Sequence, residues 1–337
     1  MVDIEEIFST TKVLVIAEVG INHNGNFDRL IKLVESAKEA GADAVKFQIF
    51  SEKLFFIDTV YLPKEITEKI PIDIFRRAFI PFDKYSEVFD YSKSIGILPF
   101  ATPLDLESFN FLEGLQTNVF KIASSDISYV PLLKKVSRTK KIVIISTGFS
   151  TIKEIKKYLK LIKNNPTIVM FCVSRYPSYP NDISIKEFVK FRKTFESIKS
   201  KKRVGFSDHT KTLSLPVAMA ALGAKAIEKH LTLDENDDSP DNAVSISPSK
   251  FKTMVEMIRE IEESLSCEAR NLPDDFTRKM SMRSFVPREH IKKYQRISED
   301  HIEALRPSIF LSSSIENWKK IVNKKSQKDY MPREPFF

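Results

Sequence analysis

Arg203-Val-Gly-Phe-Ser-Asp-His-Thr210 and Ala224-Lys-Ala-Ile-Glu-Lys-His-Leu-Thr232 are successive hydrophobic runs, each ending in a histidine within a short polar cluster. Read as neighbouring parallel strands about 5 Å apart, they bring both imidazoles within reach of one metal ion. The chain has only five histidines, so two at matched positions carry information. A third, His23, closes the similar segment Val13-Leu-Val-Ile-Ala-Glu-Val-Gly-Ile-Asn-His-Asn-Gly25.

Outward from this pair, short β-rich runs alternate with amphipathic helical stretches. Strands are predicted over Val13–Glu18, Ala44–Gln48, Ile97–Ala101, Asn118–Ile122, Ile142–Ser146, Ile168–Cys172, Val204–Ser207 and Ala226–His230. Helices are predicted over Phe27–Ala40, Ser150–Ile162, Ile185–Ile198 and, last in the series, Pro248–Leu265. Gly41 and Gly96 fall after helices and before strands, where a left-handed cap is expected. Eight βα units in roughly 260 residues is the size of a TIM (β/α)8 barrel. A doubly wound open sheet is the rival, but it leaves edges to protect and the chain lacks its Gly-rich first turn. The barrel is assigned to residues 1–265 and a polar linker to 266–281. Residues 282–337 read as a small, mainly β module with a short helix near Ile315–Val322.

Composition narrows the function. A content of 42% hydrophobic and 29% charged residues belongs to a soluble globular chain. No apolar run reaches membrane-span length, and the acidic N-terminus lacks the pattern of a secretory signal. Two cysteines cannot build a disulfide framework, so a reducing cytoplasm is expected. The net charge of +8 raises the question of nucleic acid, but no matching motif is present. The densest basic run, Lys199-Ser-Lys-Lys-Arg203, is read as the solvated end of a helix. An anionic small substrate suits a basic protein better. The 26 phenylalanines are read as core filling.

A TIM barrel works at the C-terminal ends of its strands. Here those ends carry Glu18, Lys46, Gln48, Thr102, Lys121, Ser124, Ser125, Asp126, Ser146, Thr147, Ser174, Arg175, Tyr176, Ser207, Asp208, His209, Lys229 and His230. Two lysines, several hydroxyls and the Ser146-Thr-Gly148 turn make a phosphate site, because ammoniums neutralise charge while hydroxyls and backbone N–H groups fix oxygens. The structural alternative pairs Lys46 and Lys121 with carboxylates such as Glu18 or Asp126. His209 and His230 with oxygen ligands suit Mn²⁺, Fe²⁺, Co²⁺ or Zn²⁺; two core histidines are the plain alternative. Strand 8 closes against strand 1, which places Glu18 and His23 beside this pair, although His23 could equally cap its own loop. The acidic stretch Asp234–Asp241 lacks an EF-hand pattern, leaving a solvated loop or a substrate contact from Asp241.

With these residues in place, the chain resembles the sialic-acid (nonulosonic acid) synthase family over nearly its whole length. The pieces are Ile16-Ala-Glu-Val-Gly-Ile-Asn-His-Asn-Gly25, Val45-Lys-Phe-Gln48, Phe120-Lys-Ile-Ala-Ser-Ser-Asp126, Ile145-Ser-Thr-Gly148, Gly205-Phe-Ser-Asp-His-Thr210 and Ile227-Glu-Lys-His230. The tail is similar to the family's antifreeze-like (SAF) module through Met282-Arg-Ser-Phe285, Ile291-Lys-Lys293, Ile297-Ser-Glu-Asp300 and Leu305-Arg-Pro307. The resemblance implies condensation of phosphoenolpyruvate with an N-acylated hexosamine to a nine-carbon 2-keto acid plus phosphate. It implies a divalent metal on His209 and His230, Mn²⁺ first, with Mg²⁺ or Co²⁺ as substitutes. It implies phosphoenolpyruvate contacts from Lys46, Thr102, Lys121, Ser124, Ser146 and Ser207, and sugar contacts from Gln48, Asp126, Ser174, Tyr176 and Asp241. It further implies a domain-swapped homodimer in which Arg306 reaches the partner's sugar. Ser174 stands where the family often has Asn and Asp126 where it often has Glu, so either N-acetylmannosamine or a 2,4-diacetamido-trideoxyhexose is open as acceptor. Tyr294 and Ser308 stand where the tail usually has Gly.

Two rivals remain. A phosphoenolpyruvate-dependent aldol synthase for a phosphorylated sugar needs a further cation, for which Arg175 is the candidate. A non-catalytic carbohydrate-binding barrel would not need Glu18, both lysines and both histidines.

Overall fold

The computed structural model describes residues 4–199 and 201–336. Eight parallel strands close into a barrel, each bonded to its sequence neighbour and the last to the first. They are β1 (Leu14–Gly20), β2 (Ala44–Ile49), β3 (Leu98–Pro103), β4 (Val119–Ile122), β5 (Ile142–Ser146), β6 (Thr167–Cys172), β7 (Lys202–Asp208) and β8 (Ala226–His230). A helix packs after every strand, from Phe27–Glu39 to Pro248–Ser266. The first shows why these segments become helices. Leu30, Leu33, Val34 and Ala37 recur at helical spacing on its buried face, and the Asn26 side chain accepts the Arg29 N–H at its start. Gly41 and Gly96 have φ of 83° and 78°, as their places after helices require.

Within each strand, alternate residues face opposite ways. Val15, Ala17 and Val19 of β1 join the outer core under the helices. Leu14 and Ile16 instead join Ala44, Phe100, Val119, Ile142, Ile144, Ile168, Met170 and Ala226 in an inner core. A short turn of helix, Ile4–Phe8, plugs this core with Ile4, Ile7 and Phe8. The same inward rows turn polar higher up: Glu18, Lys46, Thr102, Lys121, Ser146, Ser207, Glu228 and His230 are all buried there. Apolar layers below and polar layers above make the barrel a packed support with one reactive end.

Three expectations need correction. The run from Lys199 to Arg203 is not a helix end, because its helix stops at Phe195 and Lys202 already opens β7. Arg203 is buried, donating to the carbonyl of Phe8 and lying over that ring, because the barrel floor needs a partner for this carbonyl; Ser200 lies outside the described residues. The stretch read as a linker contains a helix, Asp275–Ser281, capped by Asp274 accepting from Thr277. The connection after β2 also carries an insertion: two short helices, Lys64–Thr67 and Ile72–Ala78, precede the packing helix Phe82–Ser94.

The chain divides into compact units at Met1–Cys267 and Glu268–Phe337. The second has an antiparallel pair, β9 (Ser284–Pro287) with β10 (Ile302–Leu305), and a helix Ile315–Ile321. Its own core contains Phe285, Ile291, Ile297, Ile302, Ile321, Tyr330 and Phe336. Tyr294 holds φ at 66°, the left-handed backbone that a glycine would adopt without strain. Among the described residues no helix is long and apolar enough to cross a membrane.

Candidate active site

Strand register assembles the site. Glu18 of β1 pairs with Lys46 of β2 on one side and His230 of β8 on the other, and Ser207 of β7 pairs with Glu228. Together they line a cavity of about 180 Å³ at the C-terminal end of the barrel. Glu18, Lys46, Gln48, Thr102, Lys121, Ser124, Ser146, Ser174, Tyr176, Ser207, His209 and His230 all line it.

Glu228 is the residue the strand-end reading passed over. Counting back by two from His230 finds it; counting by one finds Lys229, which points the other way. Lys229 is sequestered with Asp208 at 2.6 Å and takes no part in the cavity. Glu228 accepts from Lys121 at 2.9 and 3.0 Å and from Ser207 Oγ at 3.0 Å, and lies 3.6 Å from Lys46. Lys46 in turn pairs with Glu18 at 2.8 Å, and Gln48 Nε2 donates to Glu18 Oε1 at 3.1 Å. Lys121 thus pairs with Glu228, not with Asp126.

Two lysines and two carboxylates in one dry cavity do not share protons equally. Burial would push Glu228 up, but Lys121 and Lys46 outweigh it and hold this carboxyl well below the usual range. Glu18 moves the other way. Burial raises it to about 7, with the Glu228 charge adding to the rise and Lys46 only partly opposing it. One carboxylate is therefore fixed as a counter-ion and the other is poised to exchange a proton near neutrality.

The histidines are neutral donors. Burial lowers the pKa of both, and each is further lowered by nearby cations. His209 Nδ1 donates to the Val173 carbonyl at 2.8 Å, which leaves the Nε2 lone pair free. The two rings have centroids 5.5 Å apart, and the Tyr176 ring packs at a tilt against His209 with centroids 4.2 Å apart. His230 Nδ1 and Asp241 Oδ2 lie 3.6 Å apart, and neither has a hydrogen-bond partner. Buried polar atoms without partners mark where a ligand supplies them. Two neutral imidazoles with unmatched oxygen beside them fit a divalent cation. Among the described residues no group of three or more His, Cys, Asp or Glu is placed to hold one, so substrate or water oxygens would complete the set.

Asp241 reaches this place through a polar ring rather than a solvated loop. Its N–H donates to Asn22 Oδ1, Asn22 Nδ2 donates to Ser245 Oγ, and Ser245 Oγ donates to the Asp241 carbonyl. Gly20, at φ of 52°, leaves room for it: a Cβ there would stand 2.7 Å from Asp241 Oδ2 and 3.1 Å from Glu18 Oε1. Burial raises the Asp241 carboxyl to about 6.

Other anticipated residues go elsewhere. His23 is not part of the cavity lining. Its Nδ1 accepts the Gly25 N–H at 3.1 Å, its Nε2 lies 3.4 Å from the Tyr85 hydroxyl, and burial lowers its pKa to about 3. It caps its own loop, because β1 bulges between Glu18 and Gly20 and the chain turns outward. Asp126 is partly buried beside the cavity and outside its lining, with a pKa raised to about 6 by burial. Arg306 follows β10 in the C-terminal unit. Arg175 is paired with Asp182 at 2.8 Å and does not line the cavity. Cys172, Phe55, Phe75, Leu104 and Phe149 line it unannounced.

A sequence profile described as the NeuB family matches residues 33–270. An uncharacterized protein of Methanocaldococcus jannaschii is 38% identical over 91% of each chain. The N,N'-diacetyllegionaminic acid synthase of Campylobacter jejuni is 31% identical over 96% of this chain and 99% of its own. The N-acetylneuraminic acid (sialic acid) synthetase of Leptospira borgpetersenii, solved with citrate, aligns with a TM-score of 0.68 and 27% identity. That alignment covers 79% of this chain and 88% of the solved one.

Proposed function

The chain belongs to the NeuB family, and from that premise we propose that it is a metal-dependent nonulosonic acid synthase joining phosphoenolpyruvate to an N-acylated hexosamine. The observation that carries this reading is the single cavity in which Lys46 and Lys121, the neutral pair His209 and His230, and Glu18 meet.

Each residue has a task in that reaction. Lys46 and Lys121 take the phosphate and carboxylate of phosphoenolpyruvate. Thr102 Oγ1 and Ser146 Oγ, buried without hydrogen-bond partners, donate to its oxygens beside Ser124 and Ser207. Gln48, Ser174, Tyr176 and Asp241 border the sugar, with Asp126 behind them. His209 and His230 hold the divalent ion, Mn²⁺ first, which when bound supplies Lewis-acid polarisation of the acceptor's aldehyde oxygen. C3 of phosphoenolpyruvate forms the new bond to the aldehyde carbon as the C=O π pair moves onto the aldehyde oxygen, which takes up a proton to become a hydroxyl. Water then adds to the cationic C2 as Glu18 takes one of its protons, and cleavage of the C2–O bond, with the remaining C2 hydroxyl proton passing to the departing phosphate, leaves the 2-keto group and releases phosphate against the two ammoniums. Orientation of two substrates in one closed space supplies much of the rate.

A phosphorylated acceptor is disfavoured, since Arg175 is engaged by Asp182. A chain with only two cysteines fits a cytoplasmic enzyme. The tail is read as a SAF module delivering Arg306 to the partner's sugar in a homodimer. The deciding experiment is phosphate release from phosphoenolpyruvate with Mn²⁺, offered N-acetylmannosamine and a 2,4-diacetamido-trideoxyhexose in parallel. Release that needs both substrates supports the synthase; no release with either sugar overturns it.

A further inference from the structure

Cys172 ends β6, is buried, and lines the cavity beside Ser124. The reaction steps above give it no task. Three neighbouring strands bring it into a chain of polar atoms: Ser124 follows β4, Gly148 follows β5, and Cys172 closes β6. The Gly148 N–H donates to Ser124 Oγ at 3.0 Å, and Ser124 Oγ stands 3.2 Å from Cys172 Sγ. This close approach needs a residue without a side chain at Gly148, since a Cβ there would lie 2.8 Å from the sulfur. The Thr147 hydroxyl donates to the Met170 carbonyl at 2.8 Å and pins the loop after β5 onto β6. Ser146 Oγ, buried without a partner, belongs to the same cavity lining, as expected where ligand oxygens complete the hydrogen bonding.

Counting donors fixes what the thiol does. A serine hydroxyl has one proton and two lone pairs, and a thiol has one weak donor. Gly148 fills the first lone pair of Ser124. If Ser124 gave its proton to the sulfur, none would remain for substrate. A phosphate dianion offers this hydroxyl only acceptors, so it draws the Ser124 proton into the cavity. The thiol proton then fills the second lone pair. Each bond in such a chain strengthens the next.

We propose that Cys172 is a positioning residue for phosphoenolpyruvate: its S–H donates to Ser124 Oγ and turns the Ser124 O–H onto the phosphate. The assignment rests on the synthase reading above and adds a residue to its phosphate site. Losing one such neutral bond lowers affinity by about threefold to tenfold.

The test is calorimetric binding of phosphoenolpyruvate to the Mn²⁺-loaded protein, beside phosphate-release kinetics with both substrates. Cys172→Ala should raise Kd and KM for phosphoenolpyruvate by about threefold to tenfold. It should hold kcat and the KM for the sugar, because the bond acts equally on ground and transition states. Cys172→Ser keeps a donor and should restore most of the loss. With Ser124→Ala already in place, Cys172→Ala should add nothing, since the thiol acts only through that hydroxyl. Cys172→Val, which has no donor, serves if the alanine variant does not fold. An unchanged Kd in the folded variants, no recovery with serine, or losses at Cys172 and Ser124 that simply add overturn the positioning role alone. A wild type that neither binds phosphoenolpyruvate nor releases phosphate overturns the synthase reading and this role with it.

Discussion

Glu228 is worth most attention among single residues, because it decides what the two lysines are before substrate arrives. Its carboxylate holds Lys121 and approaches Lys46 in a nearly dry setting. Removing one member of such a group leaves a charge buried without its partner, which costs about 3–5 kcal/mol. Lys121→Met should lower stability by roughly that much, and adding Glu228→Gln should recover most of it. Denaturant unfolding of both variants checks this, and equal losses would show that the pair is not coupled. Asp126 makes a pH prediction. Burial raises its folded pKa to about 6, above the ordinary value of 3.8, so the folded state binds the extra proton. Its stabilising contribution is full below pH 3.8, and is lost as pH rises through 6. Asp126→Asn should therefore be more stable than wild type at pH 7, by about 1–2 kcal/mol, with the advantage vanishing near pH 4. Thermal midpoints across that range would show it.

At the level of elements, the site depends on how closely β7 can lie between its neighbours. Gly205 has Met170 on one side and the backbone of β8 on the other; a Cβ there would stand 2.8 Å from the Ala226 carbonyl oxygen. A backbone oxygen cannot rotate away, so Gly205→Ala must part β7 from β8. The cost should be about 1–3 kcal/mol, and the two strands carrying His209 and His230 should move with it. Turnover should then fall by more than the loss of folded protein explains, as activity per folded molecule would record. The insertion after β2 is the contrasting element. Its phenylalanines look like core filling in the sequence, yet two of them border the substrate cavity.

For the whole molecule, metal and fold are linked only if the histidine pair is the cation's seat. Mn²⁺ at a hundredfold excess over its Kd adds about 2.7 kcal/mol to the folded state, so the melting temperature should rise with Mn²⁺ and fall back with a chelator. His209→Ala should keep the barrel's circular dichroism but lose both the rise and the turnover; a full rise in that variant would place the metal elsewhere. The sequence by itself determined the barrel, since a strand buried on both faces must be apolar throughout and eight such runs between amphipathic helices close in only one economical way. It determined much of the site too, because the end of a buried strand is a local feature and Lys46, Lys121, His209 and His230 stand at such ends. The rest depended on long-range geometry. Which of Glu228 and Lys229 faces inward is a matter of pleat phase, set by the neighbouring strands rather than by the residues. His23 was turned away by a bulge that register alone reveals, and Arg203 was drawn into the barrel floor by a carbonyl nearly two hundred residues earlier. Only the folded chain brings Phe55, Phe75 and Leu104 together, because they pack across a connection that carries no periodic signal and acquire their meaning from the cavity they face.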